Sequence, residues 1–291
     1  MPSSSSVATR TAVVLITRNR RARVLDTLRR LRAMPDAPLL VVVDNASGDG
    51  TPGAIAGAFP DVRILALSRN AGAAGRNVGV LASQREFVAF ADDDSWWADG
   101  SLVRAEQLFD AHRRLSLIAA NLRIGPDGRE DPVCQEMRAS PLSPAADLPG
   151  PRVLGFVACA TIVRRDRFLD AGGFAERFGV GGEERLLAID MTAQGNGLAY
   201  VEEIVAWHDP EPSADRAHRP VTEVRNALWS AWLRRRPSRA LGFTLGVARR
   251  ALRDADARSG LVLAARDLRN VLRERSRVSR AIDDDLGRLR Y

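Results

Sequence analysis

Three consecutive carboxylates, Asp92, Asp93 and Asp94, close an apolar, β-prone run over residues 87–91 and lead into Ser95-Trp96-Trp97. A buried strand that ends abruptly in charge needs a cationic partner, because an unpaired buried ion costs several kcal/mol. A hard divalent cation takes oxygen ligands and bridges to phosphates, so metal binding is the chemistry these residue types suggest. A solvated Asp-rich turn is the plain alternative. A second cluster, Asp44-Asn45-Ala46-Ser47-Gly48-Asp49-Gly50-Thr51, follows another apolar run. There Asp44 either accepts hydrogen bonds from the ribose or base of a nucleotide or belongs to a glycine-assisted turn before a helix. In a third, Asn70-Ala71-Gly72-Ala73-Ala74-Gly75-Arg76-Asn77, small residues allow close backbone approach, and Arg76 and Asn77 can face a ligand. The glycine spacing differs from the dinucleotide fingerprint, there is no P-loop, and the chain has no lysine at all. Phosphate charge would then be neutralised mainly by metal, with arginine assisting.

The elements that must position these groups alternate. Strands are expected over residues 11–17, 39–43, 62–67 and 86–91, and helices over 18–31, 51–59, 73–83 and 101–114, the last with Ser101 as its cap. Such alternation implies a Rossmann-like, mostly parallel α/β sheet flanked by helices. Ligands gather at the carboxyl ends of the strands in such sheets. The polar clusters fall there, beginning with Thr17-Arg18-Asn19 and including Ser68-Arg69-Asn70.

At 291 residues, 45% hydrophobic and 27% charged, the chain has the composition of a soluble globular protein. Cys134 and Cys159 form neither a metal motif nor a disulfide framework, and no signal pattern or membrane-length apolar run is present, so a cytoplasmic setting is expected. The formal charge of +7 is unevenly placed: residues 221–291 carry +9 and residues 1–220 carry −2. The main body is therefore not a polycationic nucleic-acid surface, and no interleaved aromatics offer base stacking.

Val13-Val14-Leu15-Ile16-Thr17-Arg18-Asn19-Arg20, Val42-Val43-Asp44-Asn45 through Thr51, Arg69 through Gly79, and Phe90-Ala91-Asp92-Asp93-Asp94 resemble, in this order, the family 2 glycosyltransferases. The likeness continues through Arg164–Phe174, Gly182-Glu183-Glu184 and Val205-Ala206-Trp207-His208, and spans about residues 11–210. It implies the GT-A fold of nucleotide-diphospho-sugar transferases; a transferase domain is expected at 11–220, after a disordered stretch at 1–10 and before a basic helical segment at 221–291.

The resemblance also implies roles. Thr17 and Arg18 line the nucleotide pocket, Asp44 binds the nucleoside, and Asn70, Gly75 and Arg76 run beside the donor. Asp92 and Asp94 take the outer places of an Asp-x-Asp motif around Asp93, with Asp94 the more direct ligand of Mg2+ or Mn2+, and His208 completes the metal site. Glu184 is the expected general base; Glu183 is its rival, because relatives usually carry Glu-Asp here. The implied reaction is an inverting hexosyl or deoxyhexosyl transfer from a UDP-, dTDP- or GDP-sugar to an acceptor hydroxyl, in polysaccharide, glycolipid or natural-product glycosylation. A non-catalytic sugar-nucleotide binder is the alternative.

Trp96 and Trp97 either wall the acceptor pocket or pack beneath their loop. Six prolines between Pro126 and Pro151 mark a segment that resists regular structure and could act as a lid. Beyond 220, helices are expected over 221–236, 241–253 and 261–277. In the last, Leu261, Ala265, Leu268 and Leu272 share one face with arginines off it, a pattern suited to a peripheral membrane contact near a lipid-linked acceptor, or to packing on the main domain or a homodimer.

Overall fold

The computed structural model describes residues 9–210 and 219–289. Its centre is a mixed sheet. Strands β1 (Thr11–Thr17), β2 (Leu39–Asp44), β3 (Arg63–Ala66) and β4 (Phe87–Asp92) run parallel in the order β3-β2-β1-β4. Residues 13–15 of β1, 41–43 of β2 and 87–91 of β4 are almost wholly buried. That is why they read as continuous apolar runs, since a parallel strand covered on both faces has no solvent side. Register places Thr17 beside Asp44 and Ile16 beside Asp92, so three carboxyl ends meet at one edge.

The sheet continues through β8 (Thr161–Arg164), β6 (Leu115–Ile124), β9 (Gly197–His208) and β5 (Ser95–Trp97), with β7 (Arg129–Glu130) on the side of β6. Here β8 is antiparallel to both neighbours, β9 is parallel to β6, and β5 is antiparallel to β9. The pairing of β6 with β9 jumps from Ala120–Val201 to Asn121–Val205. The slip lets the end of β9 bring His208 opposite Ser95, next to the acidic triplet.

Helices α1 (Arg21–Arg32), α2 (Thr51–Ala58), α3 (Gly75–Ser83) and α4 (Ser101–Ala111) connect the early strands. Helix α3 lies so close to the sheet that a Cβ on Gly79 would come within 2.4 Å of Val14 Cγ1. Ser101 does not cap α4. It is the first helical residue, its hydroxyl donates to the Val205 carbonyl, and Asp36 supplies the cap by accepting from the N–H groups of Gly100 and Leu102.

Other expectations are corrected. Thr9 and Arg10, assigned to a disordered start, are packed: Thr9 is buried and Arg10 pairs with Glu86 and Asp110, while residues 1–8 lie outside the described residues. The proline-rich segment holds helix α5 (Pro132–Arg138), because Pro132 stands at its first turn, where no N–H is needed, and Asp131 caps it. Helices α6 (Arg165–Asp170) and α7 (Glu183–Ala193) follow.

The C-terminal segment forms α8 (Arg219–Arg234), α9 (Pro237–Ala251), α10 (Ala255–Arg266), α11 (Leu268–Arg273) and α12 (Arg280–Arg288). The single helix expected over 261–277 is broken at Asp267. The supposed apolar face does not exist as one surface: Ala257, Gly260, Ala264 and Val271 face inward, whereas Ala265 and Leu272 are exposed. Val224, Leu228, Trp229 and Leu233 of α8 form a satellite core with Phe178 and Leu186. Among the described residues no helix is long and apolar enough to cross a membrane.

Candidate active site

The acidic triplet is divided by the strand end that carries it. Asp93 turns inward, where its carboxylate accepts from Thr17 Oγ1 at 2.9 Å and from Arg20 Nη1 at 2.6 Å. Burial pushes its carboxyl up to about 7 despite Arg20, and the neighbouring Asp94 adds to the rise. Asp94 is also buried, yet its carboxyl is held below the ordinary value: burial raises it, but His208 and Arg20 outweigh that. Its Oδ1 lies 3.2 Å from His208 Nε2 and its Oδ2 lies 3.0 Å from Arg20 Nη1. Asp92 is the most exposed of the three and ion-pairs with Arg76.

Thr17 and Arg20 thus hold the triplet from below. Arg18, expected in the nucleotide pocket, is exposed and without a side-chain partner among the described residues. The resemblance assigns no role to Arg20. Its place three residues past the strand end, the first turn-around of the chain, is the signal that it could reach the acids.

The end of β2 carries the second group. Asp44 is 1% exposed; its Oδ2 accepts from the Ser47 N–H at 2.9 Å, while its Oδ1 has no hydrogen-bond partner among the described residues. A buried carboxylate oxygen without a donor is uncommon and is suited to an N–H or O–H group of a ligand. Asn45 holds the neighbouring loop, donating to the Gly72 carbonyl and accepting from the Ala71 N–H. It also fills the space a side chain at Gly75 would need, since a Cβ there would meet Asn45 Oδ1 at 2.9 Å. Asn70 is exposed, its Oδ1 accepting from the Gly72 N–H. Asn19 and Ala46, both with positive φ (52° and 58°), turn the two loops at this edge toward each other.

Arg76 links this floor to the opposite wall. It is buried, ion-paired to Asp92, and its guanidinium lies 5.6 Å from the ring centre of Phe174. Its charge also acts on Glu183. Backbone contact completes the link: the Ala73 N–H donates to the Gly179 carbonyl, and Gly72, with φ of 58°, leaves only 3.0 Å between its absent Cβ and the Gly179 backbone. Asn77 does not face a ligand; its side-chain amide pairs with both backbone groups of Phe174.

Gly179–Gly182 delivers the two glutamates to the first turn of α7, where the helix dipole favours acids. Glu183 is 2% exposed and its Oε2 accepts from the Gly181 N–H; burial, with the charge of Glu184 beside it, pushes its carboxyl up to about 8. Glu184 stays half-buried and opens onto a cleft between α5, residues 153–156 and α12. Arg219 feels the charge of Glu184. The loop ahead of the pair is clamped from α8, where the fully buried Asn226 donates to the carbonyls of Phe178 and Gly181. Nothing in the motifs marked Asn226, because its partners are backbone atoms 45 and 48 residues away.

Of the two tryptophans, Trp97 is core: it is 1% exposed and its indole N–H donates to the Phe90 carbonyl. Trp96 stacks on Trp207 across the β5–β9 pair, with the Arg30 guanidinium 4.2 Å from its ring centre. Neither lines the cleft at Glu184.

No three His, Cys, Asp or Glu side chains among the described residues converge into a complete metal site. Asp94 and His208 nevertheless set a carboxylate oxygen and an imidazole nitrogen side by side. That donor pair suits Mn2+ or Mg2+ when the remaining ligands are phosphate oxygens and water.

No curated protein matches the chain. Among solved structures, the S. aureus TarS 1–349 complex with UDP-GlcNAc is similar at a TM-score of 0.61 and 20% identity, over 76% of this chain and 65% of that one. The Pyrobaculum calidifontis mannosyltransferase PcManGT, in complex with GDP-Man and Mn2+, is similar at a TM-score of 0.58 and 18% identity, over 98% and 88% of the two chains. GalNAc-T7, with UDP, GalNAc and Mn2+, gives a TM-score of 0.58 at 13% identity, over 78% and 48%. These identities speak for the fold. The family model described as glycosyl transferase family 2 matches residues 12–171, more than half of the sequence, including the ends of β1, β2 and β4. The chain belongs to glycosyl transferase family 2 and is a glycosyltransferase with the GT-A fold.

Proposed function

We propose that the protein moves a hexosyl or deoxyhexosyl group from a nucleoside-diphosphate sugar to an acceptor hydroxyl in one displacement, with inversion and with a divalent cation. The observation that carries this is the link between two acidic groups: Arg76 is ion-paired to Asp92, in the triplet at the end of β4, and its charge acts on Glu183, in the glutamate pair at the start of α7. One group suits the diphosphate end of a donor and the other suits proton removal from an acceptor. Structural neighbours in complex with UDP-GlcNAc, and with GDP-Man and Mn2+, support a nucleotide-sugar donor.

In this reading Asp44 Oδ1 accepts a hydrogen bond from the nucleoside, which supplies the partner it lacks. Asp94 and His208 hold the cation, while Arg20 and Thr17 keep Asp93 and Asp94 in their rotamers. When bound, the metal supplies Lewis-acid stabilisation of the leaving diphosphate. Arg76, already turned to Asp92, adds positive charge along the donor. Glu184 takes the proton from the acceptor hydroxyl as its oxygen bonds to the anomeric carbon, and the bond from that carbon to the diphosphate oxygen breaks. Glu183 cannot share this role readily, because its raised carboxyl keeps a proton at neutral pH and it is committed to Gly181.

Labelled UDP-, dTDP- and GDP-sugars, each offered with Mg2+ and with Mn2+, test the proposal. A transferase turns over at least one of them and releases the nucleoside diphosphate. Tight donor binding with no turnover, unchanged between wild type and Glu184→Gln, would instead make the protein a sugar-nucleotide binder.

A further inference from the structure

The cleft onto which Glu184 opens has a volume of about 330 Å³. That lies within the span of small-ligand sites, about 300–1,000 Å³. One wall is α5, with Val133 and Met137; the back is Leu154 and Phe156; and the far wall is Leu289, at the end of α12. Met137, Leu154 and Phe156 are buried and fixed, so the surface they present is preformed. Besides Glu184, the polar side chains at the cleft are Glu136, Ser140, Arg185 and Arg288; Glu136 and Arg288 are exposed, and the Ser140 hydroxyl is spent on the Arg152 carbonyl. Arg288 already pairs with Asp285 and donates to Ser143.

The geometry points to this cleft as the acceptor site, and to an acceptor that is an alcohol or phenol on an apolar body rather than a saccharide. The inference rests on the proposed role of Glu184. A sugar entering here would place several hydroxyls against Val133, Met137, Leu154, Phe156 and Leu289, which offer no side-chain donors or acceptors, and each unpaired hydroxyl is penalised. An apolar body loses nothing by leaving water there, and needs only one hydroxyl at Glu184. The flat aromatic pair that would suit a sugar ring, Trp96 with Trp207, shares no residue with the cleft. Because Leu289 belongs to the C-terminal helices, that segment takes part in acceptor choice.

The test uses the full chain, with 1-naphthol as a fluorescent apolar phenol and cellobiose as a saccharide, first without any donor. 1-Naphthol is expected to bind and cellobiose not to. Val133→Glu and Leu289→Glu should each weaken 1-naphthol binding by about 10-fold or more, since a charge set into an apolar wall is costly. Near-ultraviolet circular dichroism checks that each variant is folded, and if Leu289→Glu fails that check, Val133→Glu decides. With the nucleotide-sugar panel and Mn2+ added, the naphthyl glycoside should form. Preferred binding or glycosylation of cellobiose, equal 1-naphthol binding in wild type and Val133→Glu, or no 1-naphthol binding at all would each overturn the assignment. If 1-naphthol binding responds to both variants but no donor is turned over, the cleft's preference stands and the transferase reading falls.

Discussion

The acid pairs at the two ends of the site solve one problem in different surroundings. Asp93-Asp94 is locked: Thr17, Arg20 and His208 all reach it, and both residues are nearly inaccessible. Glu183-Glu184 is locked on one side only, with Glu183 buried against Gly181 and Glu184 left half-open on a cleft. Burial gives one member of each pair, Asp93 and Glu183, a raised carboxyl, while His208 and Arg20 hold Asp94 below the ordinary value against its own burial. The difference is rigidity. On the proposed roles, a group that holds a cation must not move, whereas a base must meet acceptors arriving from solvent.

The contrast is broken most severely at the locked end. Asp94→Ala should remove transfer to the detection limit and abolish metal-dependent protection of the fold by nucleotide sugar, read by thermal shift; full activity in excess chelator would end the metal assignment. At the open end, Glu184→Gln should lower turnover by about 10²–10⁴-fold with little change in donor affinity. Should Glu183→Gln prove the inactive variant instead, the roles within the pair are reversed.

Asn226→Ala probes the half-locked state itself. It leaves the Gly181 carbonyl without its side-chain donor and takes one of two from Phe178. The expected cost is about 1–3 kcal/mol of stability, read by denaturant unfolding. Turnover should fall by about 10-fold or more as the glutamate loop shifts, while nucleotide affinity holds.

The smallest effect concerns Glu183 and pH. Its carboxyl is raised from 4.5 to about 8 in the folded chain, so between those values the native state holds a proton that the unfolded state has released. Stability from this group is complete below pH 4.5 and is lost as pH rises toward 8. Glu183→Gln removes that dependence. Its melting temperature relative to wild type should therefore climb from pH 5 to pH 8, and a flat difference would mean that Glu183 is ionised in the fold.

The strand-end logic was legible where the chain is parallel and buried on both sides, as in β1, β2 and β4, because continuous apolar runs there stop directly in polar residues. It failed after residue 114. Strands β6, β8 and β9 are antiparallel in part and joined by loops and short helices, so no repeating unit announced them. Pro132 was mistaken for a breaker although its position suits a helix start. Of the two places open to Trp97, the acceptor wall and packing beneath the loop, its indole takes the second, spent on Phe90. Arg20, Asn45 and Asn226 escaped for a common reason. They act by holding backbone or other side chains in place, and residue type alone does not reveal which partner the fold will bring.

The Asn226 clamp has a consequence for how the protein is made. Apart from His208, the donor floor is complete in sequence by Trp97, but the loop carrying Glu183 and Glu184 is gripped from α8, and the cleft is walled by Leu289. At about 5–20 residues per second, the ribosome delivers Leu289 roughly 10–40 s after Trp97. During that interval the nascent chain carries the proposed nucleotide-binding floor without a secured base. On the proposed roles, transfer competence waits for α8 and α12, which are synthesised after that floor.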